Sequence, residues 1–478
     1  MPPFIPKLKS FLQAIPFPVG VALSNVPYSW RPGYGRLYRV RRLQIKEFDG
    51  FSEEAQRQFV LQRMKIIVEH AWNNVEFYRH YYEKQGFHPE QLRHFNDLSR
   101  IPVVSKKALV QWDLEKRSYA SVGRYLVNTG GSSGSTLAFY VQPSAISHEW
   151  AHVHHAWSHL GYCQRDLKLG FSGWWNMGKL PFQYDGLRHQ FAMNIFCDFP
   201  YMARCLKPVL KKHAVRFLHG YPSSIYEFAC YCEQDDHELR DMLRAMLRGV
   251  LFSSEYPAPP YRKMVESTFA VRTLSFYGHT ERAILASEKD RPYVFYPLHT
   301  YGFAEAVKDP ATGVCKLVGT SYYNTASPLI RYDTADEISV EEVNGEMLRS
   351  FRIDAGREGD YIVDRKGKRI ALTGLVFGRH HMIFNYASFV QIAQSMPGEA
   401  VFYVTRRSGV SLPDVIQDAF DTGGVDISFS CRILEKPIVT GRGKIPLKVC
   451  VQPEVASIVK LAPGQGPYYG DSPLHSVC

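Results

Sequence analysis

The strongest constraint on the fold is an alternation of helical and strand-like segments between residues 125 and 323. Short runs rich in β-branched and aromatic residues recur there, and they include RYLVN, LAFYV, VRFLH, GVLFSS, VRTLSFY and GVCKLVGTSY. Such alternation is typical of an α/β architecture. The chain has 478 residues, more than one hydrophobic core usually supports, so we expect two or three domains.

Helical patterns dominate the region before this alternation. Apolar residues recur at helical spacing over residues 52–84, which predicts one long amphipathic helix. Farther along, Pro102 and Ser105 precede another helical pattern, and this combination is a helix-start signal.

The pattern changes after Arg357 to short hairpin-like segments. GDYIVDRKGKRI predicts two strands around a turn at Lys366 and Gly367. LPDVIQDAF predicts a helix, and strands follow it as far as Val451. Together these segments indicate a separate small α+β domain of roughly 100 residues.

The charge balance favours anionic partners. A net charge of +11 suits nucleotide phosphates, coenzyme A, acidic carrier proteins or anionic membrane surfaces. Nucleic acid is not expected as a partner, because the basic residues form no stripe and no zinc-finger or ribonucleoprotein motif occurs. With 45% hydrophobic and 22% charged residues, the composition is that of a globular protein.

Cysteine usage and apolar runs predict a cytoplasmic protein with no integral membrane segment. The nine cysteines include no C-x-x-C pair, which fits a reducing compartment. The opening segment FLQAIPFPVGVAL is short and contains prolines, so we expect it to pack on the surface rather than act as a signal peptide. No other window approaches the roughly 20 apolar residues of a membrane helix.

The segment VNTGGSSGSTLAFYV places six small residues between two strand-like runs. This composition lets backbone N–H groups and hydroxyls surround a phosphate. It is not a Walker loop, because Ser135 stands where that loop has lysine. Gly130, Ser132 and Gly134 also match the hydrolase nucleophile elbow, but a period-two strand follows where that motif needs a helix. A plain surface turn is a further alternative.

Taken with segments downstream, this loop resembles the first signature of the adenylate-forming superfamily, in particular the phenylacetate-CoA ligase family with its capsule polysaccharide biosynthesis relatives. Five segments occur in the family's order, namely TGGSSGSTLAF, FYGHTE, SPLIRYDTAD, GREGDYI and TGRGKIPL. GYPSS and SSE, at residues 220–224 and 253–255, also look like pocket segments of that family. The matches span residues 125–447.

The resemblance implies a large multi-layer α/β N-terminal domain over residues 1–355 and a small mobile α+β lid over residues 356–452. Residues 453–478, rich in proline and glycine, are predicted to be a loosely packed tail. The implied reaction is ATP-dependent activation of a carboxylic acid to an acyl-adenylate, then acyl transfer to a thiol. The implied cofactors are ATP, Mg2+ and coenzyme A. Delivery to a carrier-protein thiol or an amine in polysaccharide biosynthesis, or a non-catalytic nucleotide-binding scaffold, are the alternatives.

The resemblance also implies roles for individual residues. The β- and γ-phosphates would be held by Thr129, Gly130, Gly131, Ser132, Ser133, Gly134 and Ser135. Tyr277 and Gly278 would lie by the adenine, and Asp336 would hold the ribose hydroxyls. Thr280 would lie near the α-phosphate and Glu281 would ligate magnesium. Arg357 would add a donor from the interdomain joint, and Lys444 would be the adenylation lysine.

Some of these residues also have a purely structural alternative. Tyr277 could belong to the core, and Asp336 could cap a turn. Arg357 and Asp360 could form a surface ion pair worth under about 1 kcal/mol. Lys444 follows glycine in a polar loop and, taken alone, would be a solvated lysine.

The sequence departs from the family pattern at three positions. Ser135 replaces the loop's usual lysine, which weakens charge compensation at the phosphates. Ala335 precedes Asp336 where glycine or arginine is common, and Gly359 stands where the family has a polar hinge residue. The resemblance places the pivot of the small domain at residues 357–360, where Gly359 adds backbone freedom.

Two other groups of residues have competing interpretations. His148, Glu149 and His152 match the zinc-protease pattern H-E-x-x-H, although the metzincin extension is missing and a helix packing its histidine face on the sheet is expected instead. Trp174, Trp175, Tyr221 and Phe252 could line an aromatic substrate pocket or belong to the core.

Overall fold

The computed structural model consists of two compact units. Unit 1 comprises Met1–Asp166, Tyr184–Gln190 and Leu274–Ile353, and unit 2 comprises Leu167–Gln183, Phe191–Thr273 and Asp354–Cys478. The described residues are 15–30, 35–128, 137–172, 177, 179–195, 197–310, 313–344, 347–355, 361–376, 382–406, 410–411, 416–420, 422, 425–440, 445–450 and 458–460.

Unit 1 is mainly helical at its start. Its helices are α1 (Phe17–Ser24), α2 (Gly35–Asp49), α3 (Glu53–Asn74), α4 (Glu76–Lys84), α5 (Lys106–Val110) and α6 (Ala145–Ser158). Helix α5 begins after Ser105, whose side chain accepts a hydrogen bond from the Ala108 N–H at 3.2 Å, as the start signal predicts. Across the described ranges, no helix combines the length and apolar character needed to cross a membrane.

The prediction of a single helix over residues 52–84 is wrong, because the chain breaks at Val75. Val75 is extended, with φ −125° and ψ 110°. It follows Asn73 and Asn74, which are weak helix formers. The amide of Phe77, two residues on, donates to the Lys116 carbonyl at 3.0 Å instead of continuing the helix. The change of direction allows α4 to bury its own aromatic face.

The strands of unit 1 form a hairpin, a four-stranded sheet and a small ladder. The hairpin pairs β1 (Tyr125–Asn128) with β2 (Ala138–Val141) antiparallel. The four-stranded sheet has the order β11 (Gly302–Lys308), β12 (Cys315–Ser321), β13 (Tyr332–Asn344) and β14 (Met347–Ala355). The ladder is antiparallel and consists of β8 (Thr273–Gly278), β9 (Leu285–Ser287) and β10 (Tyr296–Pro297).

One hydrophobic core joins the helices of unit 1 to the hairpin and the sheet. Met64 of α3 and Tyr78 of α4 belong to it together with Phe139 of β2, Phe303 of β11 and Met347 of β14. Residues from distant parts of the sequence are therefore held in one layer beside the hairpin.

Unit 2 contains the parallel sheet that the alternating pattern predicts. Strands β3 (Leu167–Phe171), β6 (Val215–Gly220) and β7 (Gly249–Phe252) are parallel. In chain order, strands β4 (Phe182–Asp185) and β5 (Gln190–Met193) follow β3. Unit 2 also contains the helices α7 (Phe199–Leu210), α8 (Pro222–Gln234), α9 (His237–Met246) and α10 (Pro259–Phe269). Every residue of β3 and β7 is buried, as expected for strands covered on both faces. The α/β fold class is confirmed.

The C-terminal part of unit 2 mixes short helices with antiparallel and parallel strands. The predicted hairpin is present as β15 (Tyr361–Val363) and β16 (Arg369–Ala371). Helix α11 (Leu372–Val376) precedes a sheet with the order β17 (Ala387–Met396), β18 (Glu399–Arg406), β19 (Ser428–Leu434) and β20 (Ile458–Lys460). Of the predicted LPDVIQDAF helix, the described residues contain a 3₁₀ turn at Ile416–Ala419.

This C-terminal part has a hydrophobic core of its own. Ile362, Leu372, Ile392, Phe402 and Phe429 are buried in one cluster. A separate core is what a compact α+β segment requires. The domain boundary at residue 355 stays a prediction.

Candidate active site

Tyr277 and Asp336, two residues predicted to bind one nucleotide, are in contact. Tyr277 lies near the end of β8 and Asp336 lies in β13, and the Tyr277 hydroxyl donates a hydrogen bond to Oδ2 of Asp336. Asp336 is only 4% exposed. Its backbone N–H donates to Oγ1 of Thr334 at 3.2 Å, which holds the main chain at this residue.

Strand β13 bulges at Asp336. Asp333 pairs with Val318 of β12, and Glu337 pairs with Lys316. Between these two pairs, β13 therefore covers four residue steps while β12 covers two. Ala335 lies within this bulge and adopts φ +63°, a conformation that favours glycine. Bulges of this kind redirect side chains next to functional sites.

Short polar contacts hold the bulge in place. The Ala335 N–H donates to Oδ1 of Asp333 at 2.8 Å. The Thr334 hydroxyl donates to the Leu317 carbonyl of β12 at 2.7 Å. Ala335, one of the three departures from the family pattern, therefore occupies the position that has the backbone conformation of glycine.

Glu281 is held by two neighbouring side chains. Its Oε2 lies 3.2 Å from Nδ1 of His279, and the Tyr332 hydroxyl lies 3.4 Å from its Oε1. His279 accepts the Ile284 N–H at Nε2 (3.2 Å), so we assign the ring proton to Nδ1, from which it is donated to Glu281. Glu281 is 4% exposed and has a defined orientation.

Both carboxylates are therefore attached to one strand. Tyr332 and Asp336 lie four residues apart in β13; the first contacts Glu281 and the second contacts Tyr277. The structure thus groups three residues that the sequence predicts for one site. His279 and Tyr332 were missed as supporting residues, although both lie inside the motifs FYGHTE and SPLIRYDTAD.

Gly278 and Thr280 lie on the exposed side of this group. A Cβ built on Gly278 would have its nearest neighbour, a ring atom of Phe276, at 3.7 Å, which is ordinary van der Waals contact. The protein itself therefore has room for a side chain at position 278. An approaching ligand would explain glycine there.

The predicted phosphate loop, Thr129 to Ser135, lies outside the described residues, but its flanking strands are described. Asn128 pairs with Ala138, so the loop is a hairpin connection, as the period-two pattern predicts. Because strand β2 follows the loop directly, the strand–turn–helix geometry of a nucleophile elbow is not present.

The strands of this hairpin are hydrogen-bonded to residues in or next to the segments FYGHTE and SPLIRYDTAD. Oγ of Ser327, in the segment that leads into β13, accepts the Tyr140 N–H of β2 at 2.9 Å. Arg282, next to Glu281, hydrogen-bonds to Tyr125 of β1. The strands that carry the loop are thereby tied to the elements that carry Glu281 and Asp336.

A buried ion pair fixes the start of β13. Nε of Arg331 lies 3.1 Å from Oε2 of Glu305, and its Nη1 donates to the carbonyls of Ser99 (2.8 Å) and Ile101 (2.5 Å). A guanidinium away from water needs such partners. The pair therefore anchors the residue before Tyr332.

In unit 2, Gly220 allows helix α8 to begin directly at the end of strand β6. Gly220 has φ +146°, and a Cβ there would lie 1.9 Å from the Phe171 carbonyl oxygen. The Tyr221 N–H donates to that same carbonyl at 2.9 Å. Only glycine fits, and the GYPSS segment is thereby placed at the start of α8 (Pro222–Gln234).

Glu255, in the predicted SSE segment, joins this helix start to the C-terminal part of unit 2. Its Oε2 accepts the Ser223 N–H at 3.2 Å, and its Oε1 accepts the Ile445 N–H at 3.1 Å. Lys444 and Arg357 both lie outside the described residues. The residue that follows Lys444 is nevertheless held by a carboxylate, a contact that the sequence did not reveal.

The segment after Ile445 is also bound to strand β17. The Ile392 N–H donates to the Leu447 carbonyl at 2.8 Å, and the Val449 N–H donates to the Ile392 carbonyl at 2.9 Å. This short ladder and Glu255 together define the course of the chain after residue 444.

A second carboxyl group lies near Glu255. Burial, followed by the negative charge of Glu255, raises the pKa of Glu227 on α8 to about 7. Perturbed carboxyl groups of this kind cluster at functional sites. Nothing in the sequence singled out Glu227.

Two of the four aromatic residues considered for a substrate pocket belong to the hydrophobic core. Tyr221 and Phe252 are fully buried, so they belong to the core. Trp174 and Trp175 lie outside the described residues.

The H-E-x-x-H residues are engaged in contacts within the protein. His152 hydrogen-bonds through both ring nitrogens, to the His148 carbonyl (2.8 Å) and to Thr300 Oγ1 (3.0 Å). Glu149 pairs with Arg282 at 3.3 Å and accepts the Tyr301 hydroxyl at 3.0 Å. Among the described residues, no group of three or more His, Cys, Asp or Glu could hold a metal ion.

Comparisons with known proteins place these features in context. No protein-family profile matches the chain. It is 24% identical over 346 residues to the phenylacetate-coenzyme A ligase of Pseudomonas putida, covering 66% of this chain and 73% of that protein. It is 23% identical over 327 residues to the same enzyme of Escherichia coli (strain K12), covering 64% and 71%.

Solved structures share the fold. A 2-hydroxyisobutyryl-CoA ligase in the postadenylation state superposes with a TM-score of 0.62 at 17% identity, covering 84% of this chain and 91% of that one. The acyl acid amido synthetase AtGH3.15 superposes with a TM-score of 0.57 at 10% identity, covering 90% and 98%. The predicted resemblance to the adenylate-forming superfamily and its phenylacetate-CoA ligase family is confirmed.

Proposed function

We propose that this chain is an AMP-forming acid–thiol ligase. It uses ATP to convert a carboxylic acid to its acyl-adenylate and then transfers the acyl group to a thiol, with coenzyme A as the acceptor. The observation that carries this proposal is the grouping of Tyr277, Glu281 and Asp336, in which Asp336 and Tyr332, the partner of Glu281, both lie in β13. The sequence likeness to phenylacetate-CoA ligases supports the same reaction.

The nucleoside is assigned to Tyr277, Gly278 and Asp336. A carboxylate accepts two hydroxyl donors at once, which matches the two hydroxyls of a ribose. Because the Tyr277 hydroxyl is occupied by Asp336, its ring is held in one orientation and can lie against an adenine. The room above Gly278 supports the close approach of a base.

Glu281 is assigned to the magnesium ion that accompanies ATP. Mg2+ in nucleotide enzymes takes one or two protein carboxylates together with phosphate oxygens, and Glu281 fits as such a ligand. His279 and Tyr332 hold the carboxylate in place, so little reorganisation is needed on binding. Thr280, exposed beside it, is assigned to the α-phosphate.

The first step joins two anions. A carboxylate oxygen attacks the α-phosphorus, the new O–P bond forms, and pyrophosphate leaves with the electron pair of the broken P–O bond. Loop N–H groups from Thr129 to Ser135 are assigned to the departing phosphates, and the Lys444 ammonium is assigned to the charge that develops at the α-phosphate. Arg357 is assigned as an additional donor.

In the second step the thiolate sulfur attacks the acyl carbonyl carbon. The C–S bond forms, the C–O bond to the phosphate breaks, and AMP leaves. Lys444 serves only the first step, so we propose that the small domain turns at residues 357–360 between the steps. Every cysteine in the described part of the chain is a free thiol, which supports a reducing, cytoplasmic setting.

The names of the relatives guide the choice of acid and of a second acceptor to test. The relatives are named for phenylacetate, which makes arylacetic acids the first substrates to test. An amine acceptor is the second candidate, because the fold is shared with an acyl acid amido synthetase.

Mass spectrometry of the products tests the proposal. The protein is incubated with ATP, Mg2+, coenzyme A and a carboxylate library, and parallel reactions replace coenzyme A with amines. We expect AMP, pyrophosphate and an acyl-CoA. Acid-dependent pyrophosphate exchange without acyl-CoA would indicate another acceptor. ATP binding with no exchange for any acid would refute the enzyme and favour a nucleotide-binding scaffold.

A further inference from the structure

The first 46 residues contain lysine and arginine but no acidic residue. The eight basic residues are Lys7, Lys9, Arg31, Arg36, Arg39, Arg41, Arg42 and Lys46, and the first acid is Glu47. Eight of the eleven net positive charges of the chain therefore come from about a tenth of its length. Such a local excess attracts anions regardless of the fold.

Helix α1, in this region, turns its apolar side outward. Its buried residues are Gly20 and Ser24, and a Cβ on Gly20 would lie 2.2 Å from the Tyr184 hydroxyl oxygen. The helix thus packs through its small residues. Val19 and Leu23 are left 49% and 40% exposed. A helix without a polar face normally has apolar surroundings on every side.

Trp30, six residues after the end of α1, is a further exposed apolar residue. Its side chain is 74% exposed, and Val26, between α1 and Trp30, is exposed as well. Solvent-exposed tryptophan beside aliphatic residues is typical of protein regions that enter the headgroup layer of a membrane.

Helix α2 adds positive charge to the aliphatic groups. Arg36, Arg39, Val40, Leu43 and Lys46 are all exposed, and their spacing of three or four residues puts them on one helix face. In the described part of the chain, the three basic residues on this face, Arg36, Arg39 and Lys46, take part in no ion pair. Their charges are therefore not neutralised within the protein.

We propose that the exposed residues of α1, Trp30 and α2 together form a basic apolar surface, and that this surface docks on anionic phospholipid membranes. Aliphatic side chains and Trp30 enter the headgroup boundary, while Arg36, Arg39 and Lys46 contact lipid phosphates. Nucleic acid offers phosphates but no hydrocarbon to the aliphatic groups. The inference is independent of the proposed enzymatic function.

Vesicle flotation tests the inference with the full-length protein. Vesicles of phosphatidylcholine with about one third phosphatidylglycerol are compared with pure phosphatidylcholine vesicles at two salt concentrations. We expect binding to the anionic vesicles only, weakened by salt. Equal binding to both vesicles, or to neither, would overturn the proposal.

Two sets of variants separate the apolar from the electrostatic contribution. Replacing Arg36, Arg39 and Lys46 with glutamine should reduce vesicle binding by at least tenfold, since each cation near an anionic surface contributes about fivefold. The double substitution Leu23→Ser and Trp30→Ser should reduce it by a similar factor.

Controls carry the same kinds of change elsewhere on the surface. Ile66→Ser and Val122→Ser alter exposed aliphatic residues, 50% and 99% exposed, far from α1 in the sequence, and should leave binding unchanged. Light scattering of all variants tests for a second copy of the chain as the occupant. A change of oligomeric state with unaltered vesicle binding would refute the membrane assignment, as would preferential binding to RNA.

Discussion

The Tyr277 hydroxyl donates a hydrogen bond to the Asp336 carboxylate, and this contact ties the end of β8 to the bulge of β13. The proposed role of this pair in ATP binding is testable. Asp336→Asn should lower kcat/KM for ATP by roughly 10- to 100-fold, because a charged acceptor for the ribose is lost. Tyr277→Phe keeps the ring and should cost only about fivefold. ATP-dependent pyrophosphate exchange measures both, and an unaltered ATP dependence in Asp336→Asn would contradict the assignment.

Gly278→Ala tests whether a base lies above this backbone. The added methyl group has room in the protein, with its nearest neighbour at 3.7 Å, so the free energy of unfolding should stay within about 0.5 kcal/mol. ATP binding by calorimetry should weaken by tenfold or more if adenine occupies that space. Loss of stability in place of affinity would show that the glycine serves the fold.

Ala335→Gly should stabilise the protein. Ala335 has φ +63°, and a left-handed conformation costs an alanine roughly 1–2 kcal/mol, which outweighs the extra unfolded-state entropy of glycine. We expect the free energy of unfolding from chemical denaturation to rise by about 0.5–1 kcal/mol. Ala306→Gly, in strand β11, is the matched control and should destabilise.

Lys444→Ala should decrease acyl-adenylate formation by about 100-fold or more, since a preorganised charge at the α-phosphate is removed. Single-turnover assays measure this step, and calorimetry should find ATP binding nearly intact. Lys436→Ala, an exposed lysine in the same region, is the control. Equal adenylation rates in the two variants would remove Lys444 from the mechanism.

Glu227→Gln should change the pH dependence of stability. The folded-state pKa of Glu227 is raised to about 7 from 4.5 by burial and by Glu255, so the folded protein binds the proton more tightly than the unfolded chain. Its contribution is complete below pH 4.5 and falls by roughly 3 kcal/mol as the pH rises to 7. In Glu227→Gln this fall should be absent.

Two buried histidines change the pH dependence of stability in the opposite direction. Burial lowers the pKa of His152 to about 3 and of His155 to about 4, so these groups destabilise the fold as the pH drops below 6.5. The comparison is therefore made between wild type and Glu227→Gln at each pH, with the exposed Glu83→Gln as control. Parallel stability curves for all three proteins would contradict a raised Glu227 pKa.

Features encoded locally in the sequence were predictable. The strands around residues 129–135 follow from a period-two pattern, and the start of α5 follows from Ser105. The break at Val75 was not predictable from periodicity, because the apolar spacing continues through it and the partner of the Phe77 amide is the distant Lys116. The order of residues within the motifs predicted Tyr277, Glu281 and Asp336 as members of one site.

Contacts between residues far apart in the sequence could not be predicted. Tyr332 supports Glu281 across 51 positions, and Ile445 reaches Glu255 across 190. Such pairs depend on tertiary packing, which no spacing rule encodes. The raised pKa of Glu227 is of the same origin, since burial and Glu255 cause it together.

Glu255 accepts one backbone N–H at each of its two carboxylate oxygens, and this affects what is lost if one of the two segments moves away. If the stretch after Lys444 departs, the carboxylate keeps the Ser223 amide and is not left without a donor. At Glu255 the separation breaks one charge-assisted hydrogen bond, about 1.5–3 kcal/mol. The ring contacts of Phe389 with Tyr226 and Tyr261 add to what such a movement must overcome. A hydrogen bond of this strength is weak enough to break and re-form if the small domain turns as proposed.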